Sequence, residues 1–249
     1  MKRYEKLLIA FSVVICAALC VPQQAGAMHI MEGYLPATFC IAWGVICVPF
    51  LVAGVLSIRR IVQQQRKALL ILAMAGAFVF VISSLKIPSV TGSCSHMTGT
   101  GLAAILFGVP ATAVLGIIVL IFQAILLAHG GLTTLGANCF SMAIAGPIVS
   151  FVLYKLTIKA KLPKNLCVFL AAFLGDLFTY CVTSVQLAMA YPSPNGGMGA
   201  SVVEFLGVFA PTQLPLAIIE GLITMMIIIG LQSYAKPELR AIGFVKGEE

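Results

Sequence analysis

The apolar and polar positions of this chain do not alternate; they form long apolar runs parted by short polar breaks. The first run, Leu7 to Cys20, follows Lys2, Arg3 and Lys6 and precedes the short polar stretch Pro22 to Ala27. That order is a basic n-region, an apolar h-region and a c-region, and Ala25-Gly26-Ala27 has the small-x-small form a signal peptidase cuts. Fourteen apolar residues are few for a span, which needs about 20. The pattern predicts a signal peptide at 1–27. The alternative is a retained helix with a cytoplasmic N-terminus, which keeps Met28 inside the chain.

Beyond it, apolar runs predict spans at Ala37 to Ile58, Ala68 to Ile87, Leu135 to Tyr154, Leu166 to Ala190 and Thr212 to Tyr234. The stretch Gly101 to Leu127 reads in two ways. It is one span, or a short helix, Gly101 to Val109, broken at Pro110 and followed by a full span, Ala111 to Ala128. Charge decides for two crossings. They put Lys155, Lys159, Lys161 and Lys164 on the side of Arg59, Arg60, Arg66 and Lys67, as the positive-inside rule requires. The expected fold is an all-α, polytopic membrane helix bundle of about seven transmembrane helices, N-terminus outside after cleavage and C-terminus cytoplasmic. Ala73-Met74-Ala75-Gly76-Ala77 offers small residues for close helix contact in lipid. Pro88 to Thr100, rich in Gly, Ser and Thr, is too polar for a lipid-facing helix and reads as an outer loop tucked into the bundle. There is no internal repeat and no low-complexity tract.

Composition supports this. The 249 residues are 61% hydrophobic and 9% charged, where a soluble domain carries about 25% charged residues. Residues 28–249 therefore read as one integral membrane domain set in the lipid bilayer. The net charge of +7 comes from Lys and Arg grouped between spans, a sign of membrane topology and not of nucleic acid binding. Of eight cysteines, Cys16 and Cys20 leave with the signal peptide, and Cys40, Cys47, Cys167 and Cys181 sit in apolar stretches as packing residues. Cys94 and Cys139 could face the outside, where a disulfide or a soft metal ligand is the minor alternative to packing. No CxxC pair is present.

Candidate chemistry gathers at Met28-His29-Ile30-Met31-Glu32-Gly33. Cleavage after Ala27 gives Met28 a free amine next to the imidazole of His29. The amine, the deprotonated amide of His29 and its ring nitrogen can close two fused rings around one metal ion. Three nitrogens in a plane suit nickel, copper or low-spin cobalt. All three histidines, His29, His96 and His129, are expected on the outer face. His96 is the natural fourth nitrogen, and His129 is a rival ligand or a second-shell partner that orients a ligating ring. Met31 and Glu32 lie close by, but the planar scheme does not require them. Asp176, Glu204 and Glu220 lie in or near apolar spans. They read first as carboxylates fixing helix packing through hydrogen bonds and second as metal ligands, with Lys86 a candidate partner and Gly175 and Gly221 marking close packing. The chain has no GxxxxGK[ST] phosphate loop, no HExxH and no GxSxG, so neither ATP hydrolysis by that loop nor those hydrolytic chemistries belong to it. Ser93 or Ser95 beside His96 is adjacent in sequence only, a weak basis for an intramembrane hydrolase.

The stretch Met28 to Pro36 resembles the mature start of the CbiM/NikM family, substrate-binding membrane components of energy-coupling factor transporters for cobalt and nickel. The resemblance continues through Gly92 to Leu102, Leu126 to Gly131, Gly175 to Tyr180 and Thr212 to Gly221. One departure is Met97, where the family usually has Pro. The resemblance implies that residues 28–249 form a substrate-binding domain in which Met28, His29 and His96 bind the metal through nitrogen. It also implies a multi-pass protein of a bacterial or archaeal cell (inner) membrane that is not an enzyme and has no cofactor besides its transported Co2+ or Ni2+. ATP hydrolysis would then fall to partners: a CbiQ-like coupling subunit, CbiO-like ATPases and a small CbiN-like membrane subunit. An undivided chain with a cleavable signal looks more like the cobalt branch, which feeds cobalamin synthesis, than the nickel branch. A stand-alone divalent metal permease is the other reading, and it expects carboxylates lining a path.

Overall fold

In lipid a backbone must satisfy its own hydrogen bonds, so long apolar runs fold as helices. The computed structural model describes residues 29–64, 66, 68–88 and 94–244. The expected signal segment, 1–27, and Met28 lie outside the described residues. Helix α1 is Ala37–Gln64 and α2 is Ala68–Ser84. Strands β1, Lys86–Pro88, and β2, Cys94–His96, pair antiparallel, with Lys86 opposite His96. Then come α3, Thr100–Phe107; α4, Val109–Leu127; α5, Leu135–Lys159; α6, Lys164–Ala190; α7, Gly197–Tyr234; and the short α8, Lys236–Ala241.

The protein is a polytopic helical membrane bundle. Helices α1, α4, α5, α6 and α7 are long and apolar enough to cross a membrane, and α2 is a shorter apolar helix. Large apolar side chains stand exposed along them, such as Ile41, Val45, Val48 and Val52 on α1, as a lipid-facing surface requires. The count of seven crossings and the sidedness of the termini stay expectations of the charge pattern.

The segment around α3 settles the ambiguity before α4. Helix α3 is apolar all round and buried from Thr100 to Leu106, packed among α2, α4, α5 and α6. It has no face to give to lipid. Its eight residues rise only about 12 Å. Yet His96, before it, and His129, after α4, lie ring against ring with centroids 5.0 Å apart. Helix α4, with 19 residues, rises about 28 Å. The chain from His96 to Gly108 therefore covers the same depth in the opposite direction, part extended and part helical. The break falls at Gly108, φ 80°, and not at Pro110, which sits in the first turn of α4. There its missing N–H costs nothing.

Other boundaries shift for physical reasons. The second apolar run stops being helical at Ser84, because Lys86–Pro88 pairs with Cys94–His96 as a strand. Residues 201–211, expected outside the last span, belong to α7, which runs 38 residues through Pro211 and Pro215. Proline is tolerated inside membrane helices where neighbours satisfy the freed carbonyls. Cys139 does not face outside: it is fully buried at the start of a π-helical stretch, Cys139–Ala145, in a cluster with Cys47, Leu72 and Val119. It is a free thiol. A separate cluster of Ile30, Leu35, Tyr180, Leu187 and Phe209 ties the N-terminal segment into the bundle.

Candidate metal centre

Three segments bring the histidines together: the N-terminal stretch before α1, strand β2, and the turn after α4. His29, His96 and His129 are all buried, and their ring nitrogens lie within 4.8 Å of one another. Ring centroids are 4.3 Å apart for His29 and His96 and 4.5 Å for His29 and His129. Nδ1 of His29 touches Nε2 of His96. In a chelate built on a terminal amine and the next residue's amide, Nδ1 is the imidazole nitrogen that closes the second ring, so the contact faces the useful way.

Each ring is oriented by its neighbours. His96 Nδ1 donates to the Met97 carbonyl at 2.8 Å, which leaves Nε2 with its lone pair turned to His29. With Nε2 of His96 accepting, Nδ1 of His29 is the donor in their contact, and Nε2 of His29 is buried without a partner, as is Nε2 of His129. The His129 backbone is fixed by its amide bond to Gln123, 3.1 Å, and Ala128 before it takes a left-handed turn, φ 46°.

The N-terminal stretch is held by the start of α5. The Ile30 amide donates to Asn138 Oδ1, and Asn138 Nδ2 and Thr134 Oγ1 donate to the Ile30 carbonyl. The Thr133 amide donates to the Glu32 carboxylate, and the Gly33 amide donates to Thr133 Oγ1 at 3.1 Å. Glu32 thus anchors the segment and is exposed, away from the histidines. Met31 is exposed as well.

Burial dominates the electrostatics. It pushes His96 down to about 4, only partly offset by the bond to Met97. It pushes His129 to about 3, with His96 and Lys86 adding to the shift. His29 falls well below its ordinary 6.5, through burial first and then through His96, His129 and Lys86. At neutral pH all three rings are uncharged and keep lone pairs for a metal. Beneath His29 and His96, between Asn138, Ser141, Met142 and Thr179, lies an interstice too narrow for a water molecule.

The membrane carboxylates divide. Glu204 is exposed. Asp176 and Glu220 are buried beside each other and bond to neutral donors, while Lys86, across the ladder from His96, is exposed. Gln213 Nε2 donates to Asp176 Oδ2 at 2.6 Å, and the Thr98 amide and hydroxyl donate to Glu220. Sequence reasoning did not single out Asn138, Thr134 or Gln213; only Gln213 lay inside a quoted motif.

A family model described as cobalt uptake substrate-specific transmembrane region, CbiM, matches residues 29–239. Cobalt transport protein CbiM of Lachnoclostridium phytofermentans is 65% identical over 247 residues, covering 99% of this chain and 99% of its own. Its counterpart in Salmonella typhimurium is 56% identical over 221 residues, 88% of this chain and 90% of that one. Among solved structures, a truncated transition metal transporter aligns with TM-score 0.71 at 26% identity, over 83% of this chain and 99% of the other. A transition metal transporter aligns with TM-score 0.70 at 28% identity, over 82% and 92%. On these matches the chain belongs to the CbiM family, and it is a multi-pass membrane component of cobalt uptake.

Proposed function

We propose that this protein is the substrate-capture subunit of an ATP-driven Co2+ importer of the energy-coupling factor type, supplying cobalt for cobalamin synthesis. Its metal ligands are the Met28 amine, the His29 amide and Nδ1, and His96 Nε2. The observation that carries the reading is the contact between His29 Nδ1 and His96 Nε2. At metal–nitrogen bonds of about 2.0 Å, neighbouring nitrogens in a plane stand about 2.8 Å apart, so a small opening of that contact, with the His29 proton passing from Nδ1 to the unpartnered Nε2, admits the ion. His129 stands beside both rings as a supporting neighbour. A donor set of amine, amide and imidazole nitrogens suits late first-row dications. Calcium and magnesium, which hold oxygen ligands, gain nothing here.

The chain lacks a phosphate loop, and its buried carboxylates are engaged with Thr98 and Gln213 instead of lining a path. Both points favour an importer driven by partners, CbiQ-like, CbiO-like and CbiN-like, over a stand-alone permease. The test is Co2+ titration of the purified mature protein beside His29→Ala and His96→Ala, with Ni2+ competition. One Co2+ per chain, lost in both variants, is the expected result. Unchanged stoichiometry in either variant sinks the ligand set, and tighter binding of Ni2+ assigns the nickel counterpart. Cellular uptake should require co-expressed coupling and ATPase subunits; uptake by this chain alone would establish the permease.

A further inference from the structure

Glu220 lies on α7, far in sequence from every histidine, yet one peptide unit separates it from the His96 ring. The Met97–Thr98 peptide donates its N–H, the Thr98 amide, to Glu220 Oε2 at 2.5 Å. The carbonyl of the same peptide, that of Met97, accepts the Nδ1 proton of His96 at 2.8 Å. Thr98 Oγ1 adds a bond to Glu220 Oε1 at 2.9 Å. Two turns back along α7, Gln213 Nε2 donates to the His96 carbonyl at 3.2 Å, while Asp176 holds the same Gln213 amide group. Glu220, Gln213 and His96 are all fully buried.

We propose that Glu220 is a positioning residue for the metal site, acting on His96 through the Met97–Thr98 peptide in a carboxylate–peptide–imidazole relay. The proposal rests on His96 being a metal ligand. A ligating imidazole normally donates its second N–H to a carbonyl or carboxylate, which fixes the tautomer and strengthens the ligand. Here the acceptor is a carbonyl whose own amide end is bonded to a carboxylate. Hydrogen bonds in such a chain polarise one another, and more so where the dielectric is low. The relay holds the His96 proton on Nδ1, reserves the Nε2 lone pair for metal, and pins the ring plane. A neutral side chain would satisfy the Thr98 amide equally well, and an ionisable carboxyl inside a membrane is costly and marks a function. Both oxygens of Glu220 accept bonds from Thr98, and the Asp176 carboxyl stands beside them.

Glu220→Gln keeps an oxygen for the Thr98 amide and replaces the carboxyl with an amide. In the full mature chain, Co2+ titration should show ten- to hundred-fold weaker binding, still at one ion per chain, with a shifted ligand-field absorption spectrum of the bound ion. Wild-type affinity and spectrum would overturn the relay. Thr98→Val removes the hydroxyl's bonds to Glu220 and from Thr100 but keeps the Thr98 amide, and should leave the spectrum in place even where thermal stability falls; a shift there equal to that of Glu220→Gln would reduce Glu220 to packing. His96→Ala separates the two levels. If it abolishes binding while Glu220→Gln is silent, the relay alone fails; if it binds like wild type, the ligand assignment fails first. Should Glu220→Gln not fold, nitrogen NMR of histidine-labelled, metal-free wild type decides. The His96 proton is expected on Nδ1, and a proton on Nε2 overturns the proposal.

Discussion

Asn138 and Ile30 are bonded to each other twice. The Ile30 amide donates to Asn138 Oδ1 at 2.8 Å, and Asn138 Nδ2 returns a bond to the Ile30 carbonyl at 2.9 Å. One side-chain amide thus serves as a neighbouring strand would, satisfying both polar groups of a buried peptide. Ile30 directly follows His29, so this pair determines where the His29 ring is delivered. Thr134 Oγ1 reinforces it with a bond of 2.6 Å to the same carbonyl.

Asn138→Leu keeps the size of the side chain and removes both bonds. The Ile30 amide is then buried without an acceptor, a cost of about 1–3 kcal/mol, while Thr134 still serves the carbonyl. Because the loss falls on the segment that carries His29, the expected result is faster Co2+ dissociation and protease cleavage near residue 30. A dissociation rate equal to wild type would show that the N-terminal segment is held by other contacts.

How far the site could be read from the chain depends on what each residue does. His29, His96 and His129 stood out because imidazole is rare here, three in all, and charge patterning placed them on one face. Their convergence to within 4.8 Å agrees with that placement. Asn138 gave no such signal: an amide at a helix start looks like ordinary solvation, and its partner lies 108 residues away. Asp176 and Glu220 were legible as helix-packing carboxylates, but not their partners Gln213 and Thr98, since neutral donors leave no charge pattern. Cys139 was misplaced because its neighbourhood is polar in sequence; the π-helical stretch turns it into the core beside Cys47. The long α7 was missed because Pro211, Pro215 and a glycine-rich start argue against helix in water, a weaker argument in lipid.

Gly33, within the N-terminal segment, and Gly131, packed against it, should respond unequally to alanine. A Cβ on Gly131 would stand 2.5 Å from the Glu32 Cα and 2.7 Å from its amide nitrogen, backbone that cannot swing aside. Gly33 has open space around it and only its φ of +70° at stake, about 1–2 kcal/mol. Gly131→Ala is therefore expected to dislodge the segment and weaken Co2+ binding, whereas Gly33→Ala lowers the melting temperature slightly and keeps the affinity. Equal affinities for the two variants would mean that the Gly131 contact does not position the segment.

Burial of neutral histidines makes the metal-free protein sensitive to acid. His96 titrates at about 4 in the fold against 6.5 when exposed, and His129 at about 3. Between those values and 6.5 the unfolded chain binds protons that the folded chain refuses, so stability is lost as pH falls through that window. Above 6.5 the effect vanishes. The melting temperature of metal-free protein should fall from neutral pH toward about 4.5, and His96→Gln combined with His129→Gln should flatten the slope. An equally steep slope in the double variant would place the acid sensitivity elsewhere.

The chelate scheme makes one further demand, on the position of the amine. Amine and amide nitrogens of adjacent residues close a five-membered ring, and the amide and Nδ1 of His29 close a six-membered one. N-terminal acetylation of the natural mature chain, its intact mass verified, keeps every side chain and turns the amine into an amide. That amide yields its proton to a metal far less readily than an amine offers its lone pair. The acetylated chain should bind Co2+ with lower affinity and an altered absorption spectrum. If it binds as the unmodified chain does, the terminal amine is no ligand, and His29, His96 and His129 must hold the ion by their rings alone.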